Sequence, residues 1–140
     1  MAQAQDIIKS LGIHSEAFNS QATFIRTVRA GIPGGVVKRV INAFNNRELI
    51  ARILDISVSN LSRIYRVKHM SRTDSEELLD TIRIYRQAIE VFGCKEKAIE
   101  WIKTPLSVLS GESPEALFDT FEGRQWVAQV LRKIQYGEFS

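Results

Sequence analysis

Cysteine is nearly absent from this chain: Cys94 is the only one in 140 residues. A single thiol forms no internal disulfide, so this is not a stapled secreted scaffold, and a reducing cytoplasm suits it. Cys94 itself reads as a small buried apolar residue. Histidine is almost as scarce. His14 and His69 have no His, Cys or Asp partners at metal-ligand spacing, so neither a metal nor any other cofactor is expected. Long apolar runs are missing as well. None reaches the roughly 18 residues of a membrane span, and the N-terminus lacks a signal-peptide core. Strand-like alternation is absent, and the three prolines, Pro33, Pro105 and Pro114, stand where helices can start or stop.

What remains is the composition of a folded protein, 44% apolar and 25% charged. The length suits one domain, or two small ones sharing a core. The overall charge of +3 hides an asymmetry. Residues 1–72 carry 11 Lys and Arg against four Asp and Glu, a net +7, whereas residues 73–140 carry eight against twelve, a net −4. A basic half suits a polyanion and a mildly acidic half does not, so the two halves are expected to face different partners.

Helical periodicity runs through nearly the whole chain. Residues 1–20 form an arm or short helix carrying Ile7, Ile8 and Leu11 and stopped at Gly12. A helix from Ser20 to Ala30 ends at Gly31, where Gly-Ile-Pro-Gly-Gly turns the chain. In the next segment Val36, Val37, Val40, Ile41 and Phe44 share a face, and Asn45-Asn46 punctuates. Thr73-Asp-Ser-Glu76 has the form of a capping box opening a helix to Phe92. Leu78, Leu79, Ile82, Tyr85, Ala88, Ile89 and Phe92 are its core positions, and Gly93 is its C-cap. Further helices hold Ala98 to Ile102, then Trp126, Val127, Val130, Leu131 and Ile134. Residues 73–140 are thus expected to be a helical unit with its own core.

Residues 47–66 have the spacing of a helix-turn-helix. Ala51 is the small residue needed where two helices cross closely. Ile50, Leu54 and Ile56 seal the inner side, Leu61 and Ile64 anchor the second helix, Asp55 stands where positive φ is expected, and Ser57 caps. With Leu61 and Ile64 inward, Ser59, Asn60, Ser62, Arg63 and Arg66 face outward, with Lys68 beyond. Asn suits adenine, Arg suits guanine, and Ser suits phosphate. Lys38, Arg39 and Arg72 can add phosphate contacts.

Catalytic constellations are missing. Gly31–Gly35 lacks the Lys-Ser/Thr and preceding strand of a phosphate loop. Glu76-Glu77 lies at a helix start, where the dipole accounts for it. Trp101 and Trp126 sit at core spacing. The chain is not expected to be an enzyme.

The C-terminal half resembles the Xre/MbcA/ParS antitoxin family. The resemblance lies in Ala88-Ile-Glu-Val-Phe-Gly93, Lys97-Ala-Ile-Glu-Trp-Ile102, Pro105 with Leu109-Ser-Gly111, Ser113-Pro114 with Leu117 and Thr120, Gly123 with Val127 and Leu131, and Ile134-Gln-Tyr-Gly137. Val28 to Pro33 looks like the family's entry segment. Two departures, Glu76-Glu77 where a basic residue is common and Leu106 where Asn is common, bear on partner choice.

The resemblance implies an all-α fold in which an N-terminal arm (1–20) precedes an Xre-like helix-turn-helix region (21–72) and a C-terminal toxin-binding bundle (73–140). It implies an antitoxin of a type II pair. Its partners would be a RES-domain toxin that depletes NAD, operator DNA of its own operon, and a second copy of itself. Trp101, Trp126, Tyr136, Glu138, Phe139 and Ser140 are the expected toxin contacts, with the tail aimed at the toxin's NAD pocket. The rival reading is a stand-alone regulator whose C-terminal domain only dimerises.

Overall fold

The computed structural model describes residues 2–137. Among these the fold is all-α. Helices α1 (Ala2–Ser10), α2 (Gln21–Ala30), α3 (Gly35–Phe44), α4 (Arg47–Ile53) and α5 (Leu61–Ile64) precede the long α6 (Arg72–Phe92). Then come α7 (Lys95–Ile102) and α8 (Phe121–Gln135). Short 3-10 turns lie at Ser15–Phe18, Val58–Asn60, Ser107–Leu109 and Pro114–Leu117. No described helix is long and apolar enough to cross a membrane.

Local chemistry explains most boundaries. Ser20 accepts a hydrogen bond from the N–H of Thr23 and opens α2, and Thr120 accepts from Gly123 to open α8. Asn45, with φ 52°, ends α3 in the left-handed conformation that asparagine tolerates. The cap of α6 differs from the expectation. Ser71, not Thr73, is its N-cap, and the Ser71 hydroxyl accepts from the Asp74 N–H. The register is two residues earlier, so Thr73 lies within the first turn and Ser71-x-x-Asp74 takes the place of the capping box. Burial pushes the Asp74 carboxyl above its ordinary range, opposed by its bond to Ser71 and reinforced by the charge of Glu77.

Helix α6 is the axis of the packing. It contacts α1, α2, α4, α7 and α8. The buried apolar residues form one contiguous cluster from Ala4 to Leu131, so the C-terminal unit does not have a core of its own. The reason is visible on α6. Its buried positions include Leu78, Leu79, Ile82, Ile84, Tyr85, Ala88 and Ile89. Their spread is too wide for the single stripe of a helix packed on one side only. The arm joins this core through Ala4, Ile8, Leu11, Ile13 and Ala17. Tyr85 stacks on Phe44 at 4.1 Å and meets Phe118 edge-on at 5.8 Å, placing α3, α6 and the segment before α8 around one aromatic centre. Asn46 donates to the Tyr85 hydroxyl at 3.0 Å, and burial pushes that phenol well above its ordinary range.

Several expected core residues sit nearer the surface, Trp101 and Ile134 among them. Phe92 and Cys94 are only partly buried, and Trp126 is 37% exposed. Trp126 lies one turn before Val130, at the edge of the buried stripe of α8 and about 140° around the helix from Leu131.

Candidate functional site

Residues 47–68 form two short helical segments joined by a tight turn. Helix α4 ends at Leu54, and Asp55 takes φ 55°. Residues 58–60 then wind as a 3-10 turn directly into α5. Ser57 occupies the N-cap position, but its hydroxyl meets Ser59 at 3.1 Å and makes no capping bond. Ile50, Ala51, Leu54 and Leu61 are buried, and Ile56 and Ile64 are partly so. Ser59, Asn60, Ser62, Arg63, Arg66 and Lys68 are all exposed. One buried leucine thus holds down a segment whose other polar side chains point to solvent.

The glycine-rich loop positions this segment. Gly34 donates to the carbonyl of Val67 at 2.8 Å, and Met70 donates to Ile32 at 2.9 Å. A Cβ on Gly34 would lie 1.7 Å from the Ile64 carbonyl oxygen, so only glycine permits this approach. Gly31, at φ 88°, closes α2 beside Met70. Ser75 of α6 accepts from the Ile32 N–H at 2.9 Å. Gly-Ile-Pro-Gly-Gly is therefore a backbone clasp between α6 and the end of α5.

A groove of about 380 Å³ runs between α4 and the exposed segment, lined by Arg47, Val58, Ser59, Leu61, Ser62 and Tyr65. Arg47 and Val58 escaped the sequence reading because their proximity to Ser62 depends on the turn angle. Of the other expected cations, Lys38 and Arg72 are exposed, while Arg39 donates to the Leu11 carbonyl at 3.4 Å.

The C-terminal candidates are distributed over separate surfaces. Trp101 tilts against Phe92, with centroids 5.3 Å apart. The two line a groove of about 370 Å³ with Lys97, Glu100 and Thr104. Trp126 and Tyr136 do not border it; they lie on the outer side of α8, and Tyr136 is 69% exposed. Glu138, Phe139 and Ser140 fall outside the described residues.

One cluster went unread in the sequence. Arg124 of α8 is buried and donates to Asp80 at 2.6 Å, to Glu77 at 3.1 Å and to the Phe118 carbonyl at 2.7 Å. Arg83 completes the set from the other side of Asp80 and lies over the Phe24 ring at 4.5 Å. Glu77 is thus an ion-pair partner for Arg124, and the helix dipole does not account for it. An acid at position 80, between Leu79 and Ile82 on a buried face, was the available signal. Among the described residues no His, Cys, Asp and Glu group is arranged to hold a metal ion.

Residues 87–137 match the family described as the antitoxin Xre/MbcA/ParS C-terminal toxin-binding domain. A protein of Photorhabdus laumondii named Antitoxin Xre is 29% identical over 111 residues, covering 76% of this chain and 74% of that protein. A protein of the same name from Yersinia enterocolitica is 34% identical over 68 residues, 48% of this chain and 46% of its own. A Prs ADP-ribosylating antitoxin of a Sphingobium species is 25% identical over 127 residues, 83% and 80% of the two chains. The Photorhabdus and Sphingobium matches are too long to rest on the C-terminal domain alone, so the likeness extends into the basic half. Residues 87–137 are therefore similar to the Xre/MbcA/ParS toxin-binding domain, and the chain as a whole is similar to proteins named as antitoxins.

Proposed function

We propose that this antitoxin neutralises a RES-domain toxin that depletes NAD, and that it represses its own operon through a helix-turn-helix dimer. The match of residues 87–137 to a toxin-binding domain carries the first half of this reading. The name of the Sphingobium relative joins an antitoxin to ADP-ribosylation, a reaction that consumes NAD, and so supports an NAD-using target. The second half is supported by the exposed Ser59, Asn60, Ser62, Arg63, Arg66 and Lys68 in a half of net charge +7. The chain acts by binding and not by catalysis.

Most toxin affinity comes from the helical surface around Trp101 and Trp126, because a stable interface buries about 800 Å² per partner, more than a short tail supplies. The tail enters the toxin's NAD pocket. Tyr136 and Phe139 anchor it, and Glu138 with the Ser140 carboxylate meets groups that otherwise hold pyrophosphate.

Co-expression with the protein encoded beside this chain tests the reading, with NAD consumption by the purified pair as readout. The full chain should co-purify and silence the enzyme. Deleting residues 136–140 should leave the pair assembled and restore NAD loss, and Glu138→Lys should do so in part. Failure to co-purify would overturn the antitoxin assignment to a RES partner. Full inhibition by the truncated chain would replace plugging with occlusion by the body of the domain.

A further inference from the structure

Three surface grooves converge on Phe24 of α2. One is lined by Gln21, Phe24, Ile25 and Arg83. A second, on the other side of Ile25, is lined by Phe24, Val28, Arg29, Arg72 and Glu76. A third joins Phe24 to Phe121 over the Arg124–Glu77–Asp80 cluster. Ile25 is 46% exposed and Phe121 is 59% exposed, so two large apolar side chains flank Phe24 with little cover. Exposed aromatic residues grouped on a rigid base mark an interaction surface, not ordinary scatter. The base here is rigid because Arg124 is fixed by both carboxylates and a carbonyl.

The rim says what covers it. Arg29, Arg72 and Glu76 border one groove, yet none forms an ion pair with another described residue. Unpaired charges of both signs around an apolar centre are the pattern of a self-complementary surface. Under a twofold axis, the Arg pair of one protomer meets Glu76 of the other. The patch also straddles the two halves of the molecule: α2 belongs to the basic half, and α6 and α8 to the acidic one.

We infer that the Phe24–Ile25–Phe121 face is the homodimer interface, occupied by a second copy of this chain. The choice of a second copy as occupant rests on the operator-binding reading. The seven residues from Val58 to Ile64 offer one copy little contact with DNA, and a dimer presents two such segments to half-sites about one turn, roughly 34 Å, apart. The toxin surface proposed above lies elsewhere. Phe121 and Trp126 are five residues apart on α8, which puts them about 140° apart around the helix. One helix can therefore serve a copy of itself on one flank and a toxin on the other.

The test is the mass of the full chain in solution by sedimentation, without DNA or toxin. The chain should sediment as a dimer. Ile25→Glu and Phe121→Glu, both at exposed positions, should each weaken self-association by about 30-fold or more while the circular dichroism spectrum stays unchanged. Mixing Glu76→Arg with the Arg29→Glu, Arg72→Glu double variant should restore dimers that neither forms alone. A monomeric full chain, or dimers that survive both Ile25→Glu and Phe121→Glu, would overturn the inference. So would loss of toxin capture by those two variants with dimers intact, which would assign the face to the toxin. A chain that dimerises through this face yet binds no operator would leave the inference standing and remove only the operator-binding reading.

Discussion

Residues 57–68 expose serine, asparagine and arginine around one buried leucine, whereas α8 exposes Phe121, Trp126 and Tyr136 beside a buried arginine. Both surfaces rest on the same continuous core. The first is a display of hydrogen-bond donors and acceptors, with Val58 and Val67 exposed among them, suited to a hydrated, charged polymer. The second is a display of aromatic area over a fixed ion-pair cluster, suited to another protein surface. Division of labour in this molecule therefore lies in what each half leaves outside. The interiors are shared.

That comparison breaks most severely at Arg124. Replacing it with methionine leaves Asp80 and Glu77 facing each other with their main partner gone, and should cost about 3–5 kcal/mol. Because the core is contiguous, the loss should appear as one cooperative transition in urea, seen equally by probes near Trp126 and Tyr65. Two separated transitions would show that the halves fold independently.

The glycine contacts sharpen it. A Cβ on Gly34 meets the Ile64 carbonyl at 1.7 Å, and one on Gly123 meets the Leu117 carbonyl at 1.9 Å. Each alanine variant should lose about 1–3 kcal/mol by overpacking against backbone. Gly34→Ala should in addition impair operator binding under conditions where it stays folded, since it pushes on the end of α5. Gly123→Ala should spare operator binding. Gel shifts with folded fractions measured in parallel decide this, and equal DNA defects would deny that the clasp acts locally.

Surface changes on the polar face around Asn60 should be smaller in stability and, on the operator-binding reading, large in binding. Asn60→Ala and Arg63→Ala should leave the thermal midpoint in place, because both side chains are exposed. Each should cost about 1–3 kcal/mol of operator affinity. Unaltered affinity in both would show that this face does not read bases. The smallest contrast concerns the α6 cap. Ser71→Ala should lose about 1 kcal/mol, and Thr73→Ala should be nearly neutral in thermal melts. The reverse order would restore the capping register expected from the sequence.

The helices themselves were legible because their signals are local. Ser20, Gly31 and Gly93 mark ends by side-chain or backbone chemistry confined to one turn. Apolar spacing likewise marked α3 and α6, whose buried positions agree with it. The outward placement of Ser59, Asn60, Ser62 and Arg63 was legible for the same reason, since burying Leu61 sets the direction of its neighbours. The α6 cap was misplaced by two residues because Ser71 and Thr73 carry equivalent hydroxyls, and only the path of the preceding backbone selects between them.

By itself the sequence determined an all-helical chain, basic in front and acidic behind, with a polar helix face near residue 60. The tertiary structure alone decided that Arg124 is buried among carboxylates from another helix, that Phe24, Ile25 and Phe121 share a surface, and that Trp126 lies outside the core. The physical reason is range. Helix ends and periodic faces depend on residues three or four apart, while ion-pair burial and apolar patches depend on which helices meet, at separations here of 44 to 97 residues. Glu77, Asp80 and Arg124 have the composition of an ordinary solvated surface until α6 and α8 bring them together.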